Sequence, residues 1–154
     1  MAGLGRGGGA RRLASKLAAV FACACVASGA VAADLAVSVT GLKSAAGQVA
    51  IAVFSGSDGF PTDDARAAHR ARVSIDGAGR AQALFKDLAP GDYAVAVFHD
   101  DDNSGKLETN LFGMPKKGYG FSNNARPSLR APRFDEARFA LPDEGAKAVI
   151  ELMY

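Results

Sequence analysis

The sequence predicts an all-β fold, a β-sandwich of about seven strands with one short helix and one long ordered loop. Two observations lead to this prediction. Apolar residues alternate with other residues in several short runs, and a period of two is typical of β-strands. Turn signals containing glycine or proline separate the runs roughly every 8–12 residues, which is the spacing of a sandwich.

The first 33 of the 154 residues are predicted to be a cleaved secretory signal rather than part of the fold. A positively charged start precedes an apolar, uncharged stretch over residues 17–27, and residues 28–33 offer small side chains in the A-x-A spacing of a cleavage site. The cations are Arg6, Arg11, Arg12 and Lys16. A membrane-spanning helix needs roughly 20 apolar residues, so this stretch is too short. We therefore expect residues 34–154 to form a single periplasmic or secreted domain without a transmembrane segment.

Removal of this signal changes the charge and the cysteine content. The whole chain has 18 Lys and Arg against 16 Asp and Glu, whereas residues 34–154 keep 14 against 16. The remaining domain therefore lacks the basic character of a nucleic-acid-binding protein. Cys23 and Cys25 both fall in the signal, so no disulfide or thiolate metal site is expected. Cleavage just before either cysteine would leave a lipid-modified residue, but the short apolar run before Cys23 and the bulky Phe21 disfavour this alternative.

Three runs show the alternation most clearly, at residues 35–39, 49–54 and 93–98. In the second and third runs both sets of alternate positions are apolar, because the other face reads Ala, Ala, Phe in each. Such strands are expected at the centre of a sheet and covered on both sides. The small alanines predict a layer packed closely over that face.

Turn chemistry places the remaining strands. Asp76–Gly79 is predicted to join residues 72–75 to residues 81–85 as a hairpin, since glycine tolerates the positive φ that such turns need. Pro90 and Gly91 suit the centre of a type II turn before the third run. Two further strands are predicted at residues 138–141 and 148–153, separated by a turn at residues 142–145.

The helical candidate is the segment Thr62–Arg70, about two turns long. Thr62 can accept a hydrogen bond from the first turn as its cap, Asp63 and Asp64 suit the positive start of a helix, and Arg70 suits its negative end.

The segment from His99 to Asp135 is far longer than a normal connection, and long ordered loops are often functional. Its start resembles a calcium loop, because oxygen-bearing side chains occupy alternate positions ahead of a glycine that permits a sharp bend. The predicted ligands are Asp100, Asp102, Ser104, the backbone carbonyl of Lys106, and Glu108.

This calcium site is incomplete, since Leu111 occupies the twelfth position, where a bidentate glutamate is expected. Further oxygens would have to come from Asn110, Asn123 or Asn124. An incomplete set predicts a weak, extracellular-type affinity of about 10⁻⁴–10⁻³ M. The alternative is a loop without metal, because Asp, Asn, Ser and Gly also fold turns by bonding their own backbone.

An enzyme is a second hypothesis, with Asp100, Asp102 or Glu108 as general acid or base and His99 assisting. Consecutive strand residues point to opposite faces, however, so His99 and Asp100 are not expected to form a dyad. No G-x-S-x-G or H-E-x-x-H motif is present. The pattern favours a His99 that hydrogen-bonds the backbone, and His69 is expected on the short helix.

Aromatic residues give the long segment a third possible role. They are Phe112, Tyr119, Phe121 and Phe134. Exposed together they would form a binding surface, and Tyr119 and Phe121 could then hold an envelope glycan. The glycines between them favour the alternative, in which the rings turn inward and anchor the segment.

Two long motifs carry a family resemblance. Residues 97–110, VFHDDDNSGKLETN, and residues 112–124, FGMPKKGYGFSNN, resemble the hallmark of the exported bacterial family called domain of unknown function 2141. Further agreement lies at residues 47–54, 59–61, 88–93 and 132–139. The resemblance covers nearly all of residues 34–154. It implies little about activity, because the family is named for having none assigned.

The chain departs from that family pattern in the long segment. Asn is common in the family where Asp102 and Ser104 stand, and an acid is common where Lys117 stands. Residues 88–93 are also similar to a phrase of prealbumin-like accessory domains, so a prealbumin-like or immunoglobulin-like sandwich is expected.

The leading hypothesis is an exported, non-enzymatic module that works through the loop at residues 99–124. Calcium is its one candidate cofactor, the loop without metal is the alternative, and its partner would be an unknown envelope or extracellular one. The ligand, the partner and the oligomeric state stay open.

Overall fold

Two β-sheets packed face to face confirm the all-β prediction, and the computed structural model describes residues 31–154. The eight strands are β1 (Ala33–Thr40), β2 (Gln48–Phe54), β3 (His69–Val73), β4 (Ala81–Leu88), β5 (Gly91–Asp100), β6 (Tyr119–Phe121), β7 (Phe139–Leu141) and β8 (Ala146–Glu151). The first sheet has the order β4-β1-β8, and the second has the order β3-β2-β5-β6, with β7 paired to the start of β5. The β1–β8 pairing is parallel, and the others are antiparallel.

Most of the predicted signal lies at residues 1–30, outside the described range, so export and cleavage stay predictions. Within residues 31–154, no helix is long and apolar enough to cross a membrane.

The core lies between the sheets and is formed largely by the odd-numbered residues of β1, β2 and β5. These are Leu35, Val37, Val39, Val49, Ile51, Val53, Tyr93, Val95 and Val97. β4, β7 and β8 complete it with Ala81, Phe85, Leu88, Leu141, Ala148 and Ile150. Each large apolar side chain buried in this way contributes about 1.5–3 kcal/mol to stability.

The predicted hairpin between residues 72–75 and 81–85 is wrong. A turn does form at Asp76, whose N–H donates to the carbonyl of Arg80 at 2.8 Å and whose carboxylate accepts from the N–H groups of Ala78 and Arg80. However, β3 pairs with β2 and β4 pairs with β1, so the turn carries the chain from one sheet to the other. Alternation identifies both segments as strands but does not choose their partners.

The helix predicted over Thr62–Arg70 is also wrong beyond a single turn of 3₁₀ helix at Asp64–Arg66. Asp63, one residue after the predicted cap, accepts the N–H of Ala65. From His69 onward the chain is extended and pairs with β2. Since sheet pairing satisfies those backbone groups, tertiary contact overrides the local helical preference.

β2 and β5 carry a second apolar face that points away from the core, and the predicted covering layer protects only one end of it. At that end the ring of Phe60 lies 5.3 Å from that of Phe54 and 6.0 Å from that of Phe134, and Ala94 is buried. Three residues at the other end stay half-buried and border an open groove: Ala50, Ala96 and Phe98.

The predicted long loop contains regular structure. β6 pairs with β5, and a four-residue helix, α1, spans Phe134–Ala137. The buried hydroxyl of Ser122 accepts the N–H of Val95 at 2.8 Å and donates to the carbonyl of Ala137. This hydroxyl therefore fastens α1 and the end of β6 to the second sheet.

Substitution of Gly47 tests how tightly the start of β2 meets the long segment. Gly47 has φ +70°, and an added Cβ would overlap the carbonyl oxygen of Asp100 and lie 2.6 Å from Asp101 Cα. We expect Gly47→Ala to lower the free energy of unfolding in urea by about 2 kcal/mol or more. The control is Gly77→Ala, because a Cβ there meets nothing within 4 Å. Equal stability of the two variants would contradict the prediction.

Candidate functional site

The acidic loop begins where β5 ends, and its first carboxylate is completely buried. Asp100 pairs with Gln48 of β2, whose side-chain amide donates to Asp100 Oδ2 at 3.1 Å. The same oxygen accepts the N–H of Gly105 at 2.9 Å, and Oδ1 accepts the hydroxyl of Ser104 at 3.3 Å. Strand pairing therefore fixes Asp100, and Asp100 turns the loop back on itself.

A buried ammonium group lies at the centre of this loop. Lys117 is 8% exposed, and its Nζ lies 3.1 Å from Asp100 Oδ1 and 2.8 Å from Ser104 Oγ. It also donates to Asp102 Oδ1, while Asp101 Oδ1 lies 4.0 Å away. Three predicted calcium ligands thus converge on a cation that the chain itself supplies. We call Asp100, Asp102, Ser104 and Lys117 the lysine cluster.

Two further predicted ligands lie beside this cluster. The carbonyl oxygen of Lys106 lies 3.5 Å from Ser104 Oγ, whose single proton has its shorter contact with Asp100. Glu108 is exposed, and its backbone carbonyl accepts the N–H of Lys116 at 2.8 Å. Within the described residues its carboxylate makes no hydrogen bond or ion pair, so it does not join the other acids.

The three asparagines proposed as extra ligands bond to backbone groups outside the lysine cluster, Asn110 within its own turn and the other two across the fold. Asn110 Oδ1 accepts the N–H groups two and four residues ahead. Asn123 donates to the carbonyl of Arg138 at 2.7 Å, and Asn124 accepts the N–H of Glu151 at 2.9 Å.

The electrostatics of the lysine cluster keep all three of its ionisable groups charged at neutral pH. Burial alone would raise the pKa of Asp100, but hydrogen bonds from Gln48, Gly105 and Lys117 outweigh it and hold the pKa below 3.8. The hydrogen bond from Lys117 lowers the pKa of Asp102 further. Burial likewise opposes the charge of Lys117, yet its bonds to Asp102 and Asp100 raise its pKa above 10.5.

The lysine cluster bears directly on the calcium hypothesis, which stays a prediction. Across residues 31–154, no three histidine, cysteine or acidic side chains are arranged to hold a metal ion. A calcium ion that used Asp100, Asp102 and Ser104 would meet the ammonium of Lys117 at the same oxygens. Binding there therefore requires displacement of that side chain.

His99 faces away from the acidic loop. Its Nε2 donates to the carbonyl of Ala46 at 2.7 Å, since a carbonyl only accepts, and its Nδ1 lies 2.9 Å from the hydroxyl of Tyr154. That hydroxyl also accepts the N–H of Lys43 at 3.0 Å. His99 and Asp100 share no side-chain partner, and His99 joins the β1–β2 connection to the C-terminus.

A groove of about 910 Å³ lies on the outer face of the second sheet. Its floor consists of two rows of residues that strand register sets side by side across β3, β2, β5 and β6. The rows are Arg72, Ala50, Phe98 and Tyr119, and Arg70, Ala52, Ala96 and Phe121. Each row runs from a guanidinium group through alanine to one or two aromatic rings.

Residues 105–115 and 125–132 contribute the walls of this groove. Its charged lining residues are Arg70, Arg72, Lys106, Arg126, Arg130 and one acid, Asp64. Arg126 pairs with Glu151, and Arg130 pairs with Glu136. In contrast, Arg70 and Arg72 make no ion pair or side-chain hydrogen bond to any described residue.

The aromatic residues of the long segment divide between the two predicted arrangements. Phe121 is buried, and Tyr119 and Phe134 pack beside it in a small apolar cluster. Phe112 is 89% exposed, so the expectation that it turns inward is wrong. The apolar tip of the loop at residues 111–114 lies at the surface instead.

Three important residues were missed by the sequence analysis as site residues. Arg70 and Arg72 were assigned to a helix end and a hairpin, although their alternation was a signal for one strand face. Lys117 was recognised only as a departure from a family pattern. No local pattern links Lys117 to Asp100, because the two residues are seventeen positions apart and residues 109–124 contain no acid.

Loss of the Asp100 charge tests the buried pair. Asp100→Asn removes the fully buried carboxylate that pairs with Lys117 and leaves only the exposed Asp102 as its ion-pair partner at close range, so we expect the free energy of unfolding at pH 7 to fall by about 3 kcal/mol. The folded pKa of Asp100 is depressed, so its contribution is present above pH 3.8 and is lost as pH falls below that value. The difference between wild type and variant, measured by urea unfolding at pH 7 and pH 3, should therefore shrink at pH 3.

Asp101→Asn is the matched control for that experiment. Asp101 is about half exposed and lies at the 4.0 Å limit of contact with Lys117. Its substitution should change stability by less than about 0.5 kcal/mol. A gap between wild type and Asp100→Asn that stays constant from pH 7 to pH 3 would contradict the proposed ion pair.

Lys117→Gln tests calcium binding directly. The substitution removes the ammonium but keeps a side chain of similar length, so the carboxylates become available to a cation. Calcium at about 100 times its dissociation constant stabilises a folded protein by about 2.7 kcal/mol. We expect calcium to raise the melting temperature of Lys117→Gln more than that of wild type, with magnesium as the ion control. If calcium shifts neither protein, the calcium hypothesis is wrong.

Comparison with known proteins gives a family but no activity. The family described as "Uncharacterized protein conserved in bacteria (DUF2141)" matches residues 37–149, which include nearly the whole sandwich. No curated protein and no solved structure matches the chain. Because the match covers well over half of the sequence, the chain belongs to the DUF2141 family.

Proposed function

We propose that this protein is an exported, non-enzymatic binding module that holds a small amphipathic anion in the groove. One observation carries the proposal: both floor rows run from an arginine through alanine to aromatic residues. A ligand with an apolar body and an acidic head group would match this polarity along its own length.

The floor suits the apolar body. Ala50, Ala52 and Ala96 leave a shallow trough in the middle of the sheet, and Phe98 and Tyr119 border it on one side. Ligand pockets commonly enclose roughly 300–1,000 Å³ and are lined mainly by apolar side chains. The groove lies in that range of volume.

The arginine end of the floor suits the acidic head group. Arg70 and Arg72 stand two residues apart on β3, so their side chains lie on the same face. Among the described residues neither has an acidic partner, so an added anion would not have to compete with a carboxylate of the chain. Guanidinium groups bind carboxylate, sulfonate and phosphate oxygens with paired hydrogen bonds.

The two alternative functions have less support. For catalysis, Asp100 and Asp102 already bond to Lys117, and the side chain of Glu108 stays apart from them. For glycan binding, Phe121 is only 9% exposed, which leaves little of its ring for stacking. The proposed role of the lysine cluster is structural: it holds the base of the loop that forms one wall of the groove. This role is the same whether the cation is the ammonium or calcium.

Two fluorescent probes that share a ring system test the groove. Anilinonaphthalene sulfonate carries an acidic group, whereas N-phenylnaphthylamine is neutral. We expect Arg70→Gln and Arg72→Gln each to weaken the sulfonate about tenfold, the effect of one lost charge-assisted hydrogen bond. Binding of the neutral probe should stay within about twofold of wild type. The measurement is a fluorescence titration of the folded protein.

Two further variants complete this test. Ala50→Leu fills the trough and should weaken both probes. Arg80→Gln, an exposed arginine beside Asp76 and away from the groove, should change neither. Wild type that binds neither probe, or Ala50→Leu that binds both unchanged, would refute the proposed function.

A further inference from the structure

We propose that two apolar loop tips beside the groove form a docking surface for lipid bilayers that contain anionic lipids. The tips are residues 111–114 and the turn around Leu129. Such a surface would place the protein at a membrane, whatever ligand the groove binds.

Both tips present large apolar side chains to solvent. Leu111 and Leu129 are each 101% exposed, Phe112 is 89% exposed and Met114 is 52% exposed. Single exposed apolar residues are ordinary, but a group of them on adjacent loops marks an interaction surface. Phe112, Met114 and Leu129 all line the groove, so the two tips lie on the same side of the molecule.

The first tip is a built turn rather than a loose connection. Asn110 Oδ1 accepts the N–H groups of Phe112 and Met114, and the carbonyl of Asn110 accepts the N–H of Gly113 at 2.9 Å. Thr109 also pairs with the residue just beyond the tip. These bonds fix the backbone of the tip, on which Leu111 and Phe112 stay largely exposed.

The second tip carries backbone strain. Leu129 has φ +64°, in the left-handed region that bulky residues rarely adopt. Asparagine or glycine would occupy this position at lower cost. Strained residues are concentrated at sites where the side chain has a function. An outward-pointing leucine in this conformation favours a role in contact with an apolar phase.

Charge complementarity identifies the partner as an anionic bilayer. Residues 105–133 hold six of the 14 cationic residues of the domain but only one of its 16 acids, Glu108. Five of the six are exposed: Arg126 and Arg130 pair with Glu151 and Glu136, whereas Lys106, Lys116 and Arg133 form no ion pair with a described acid. The domain as a whole has more acids than bases, so this concentration is local. Apolar tips among exposed cations match the lipid tails and the acidic head groups of one surface.

Vesicle sedimentation tests the inference with protein recovered from the exported fraction of the cell. Wild type should bind vesicles of phosphatidylglycerol and phosphatidylcholine in equal parts, bind pure phosphatidylcholine vesicles far less, and lose affinity as salt rises. The double variant Leu111→Ser/Leu129→Asn should bind about tenfold more weakly. Its melting temperature should stay unchanged or rise, because asparagine tolerates a positive φ.

The matched control removes two exposed apolar residues from the other sheet. Leu84 and Val149 are 54% and 50% exposed and lie away from the groove. Leu84→Ser/Val149→Ser should bind vesicles within about twofold of wild type. Arg72→Gln is expected to weaken binding of the sulfonate probe but to leave most vesicle binding intact. The groove proposal and the membrane proposal can therefore fail separately.

Three results would overturn the inference. Wild type could ignore anionic vesicles, or the control variant could lose binding as strongly as the tip variant. Sedimentation velocity could instead show a dimer that the tip variant abolishes without any vesicle binding, which would assign the tips to a second copy of the chain.

Discussion

Strands β2 and β5 carry apolar side chains on both faces, and most of the molecule depends on that constraint. Their odd-numbered residues close the core against the first sheet, which keeps both strands in the middle of the second sheet. Their even-numbered residues form another apolar surface, which needs its own cover. The rings of Phe60, Phe121 and Phe134 cover one end, and the other end stays open as the floor of the groove between the loops. One alternation of side chains therefore produces both the stability of the sandwich and its main cavity.

The long segment is held at its base by groups that lie at strand ends. Asp100 is the last residue of β5, and the adjacent His99 bonds to Ala46 and to Tyr154. Lys117 lies just before β6 and pairs with Asp100. The residues between them therefore form a loop whose two ends are joined by an ion pair. Because this closure is intrinsic to the folded chain, a ligand under the loop would not have to supply the whole entropic cost of ordering it.

Local patterns in the sequence were sufficient for most of the strands, though not for β6 or the start of β3, and for three members of the lysine cluster. The period of two depends on neighbouring residues only, and so does the convergence of Asp100, Asp102 and Ser104 in a tight turn. Pairing is not local: β3 and β4 looked like a hairpin yet belong to different sheets. The two rows of the groove floor can be predicted only when the register of four strands is known. The place of Lys117 likewise depends on how a long segment returns to β5, which no spacing encodes.

The parallel pairing of β1 with β8 has a consequence for how the chain reaches its final form. Leu35 pairs with Ala146, so the first of the described strands gains its second neighbour from the last of them. Until β8 arrives, β1 presents one edge of unpaired backbone groups, and such edges readily associate with other chains. Contacts between distant residues also form slowly. If such a chain crosses a membrane with its amino terminus first, β1 reaches the far side before β8 is there to pair with it. The first sheet would then be completed only after most of the chain has crossed.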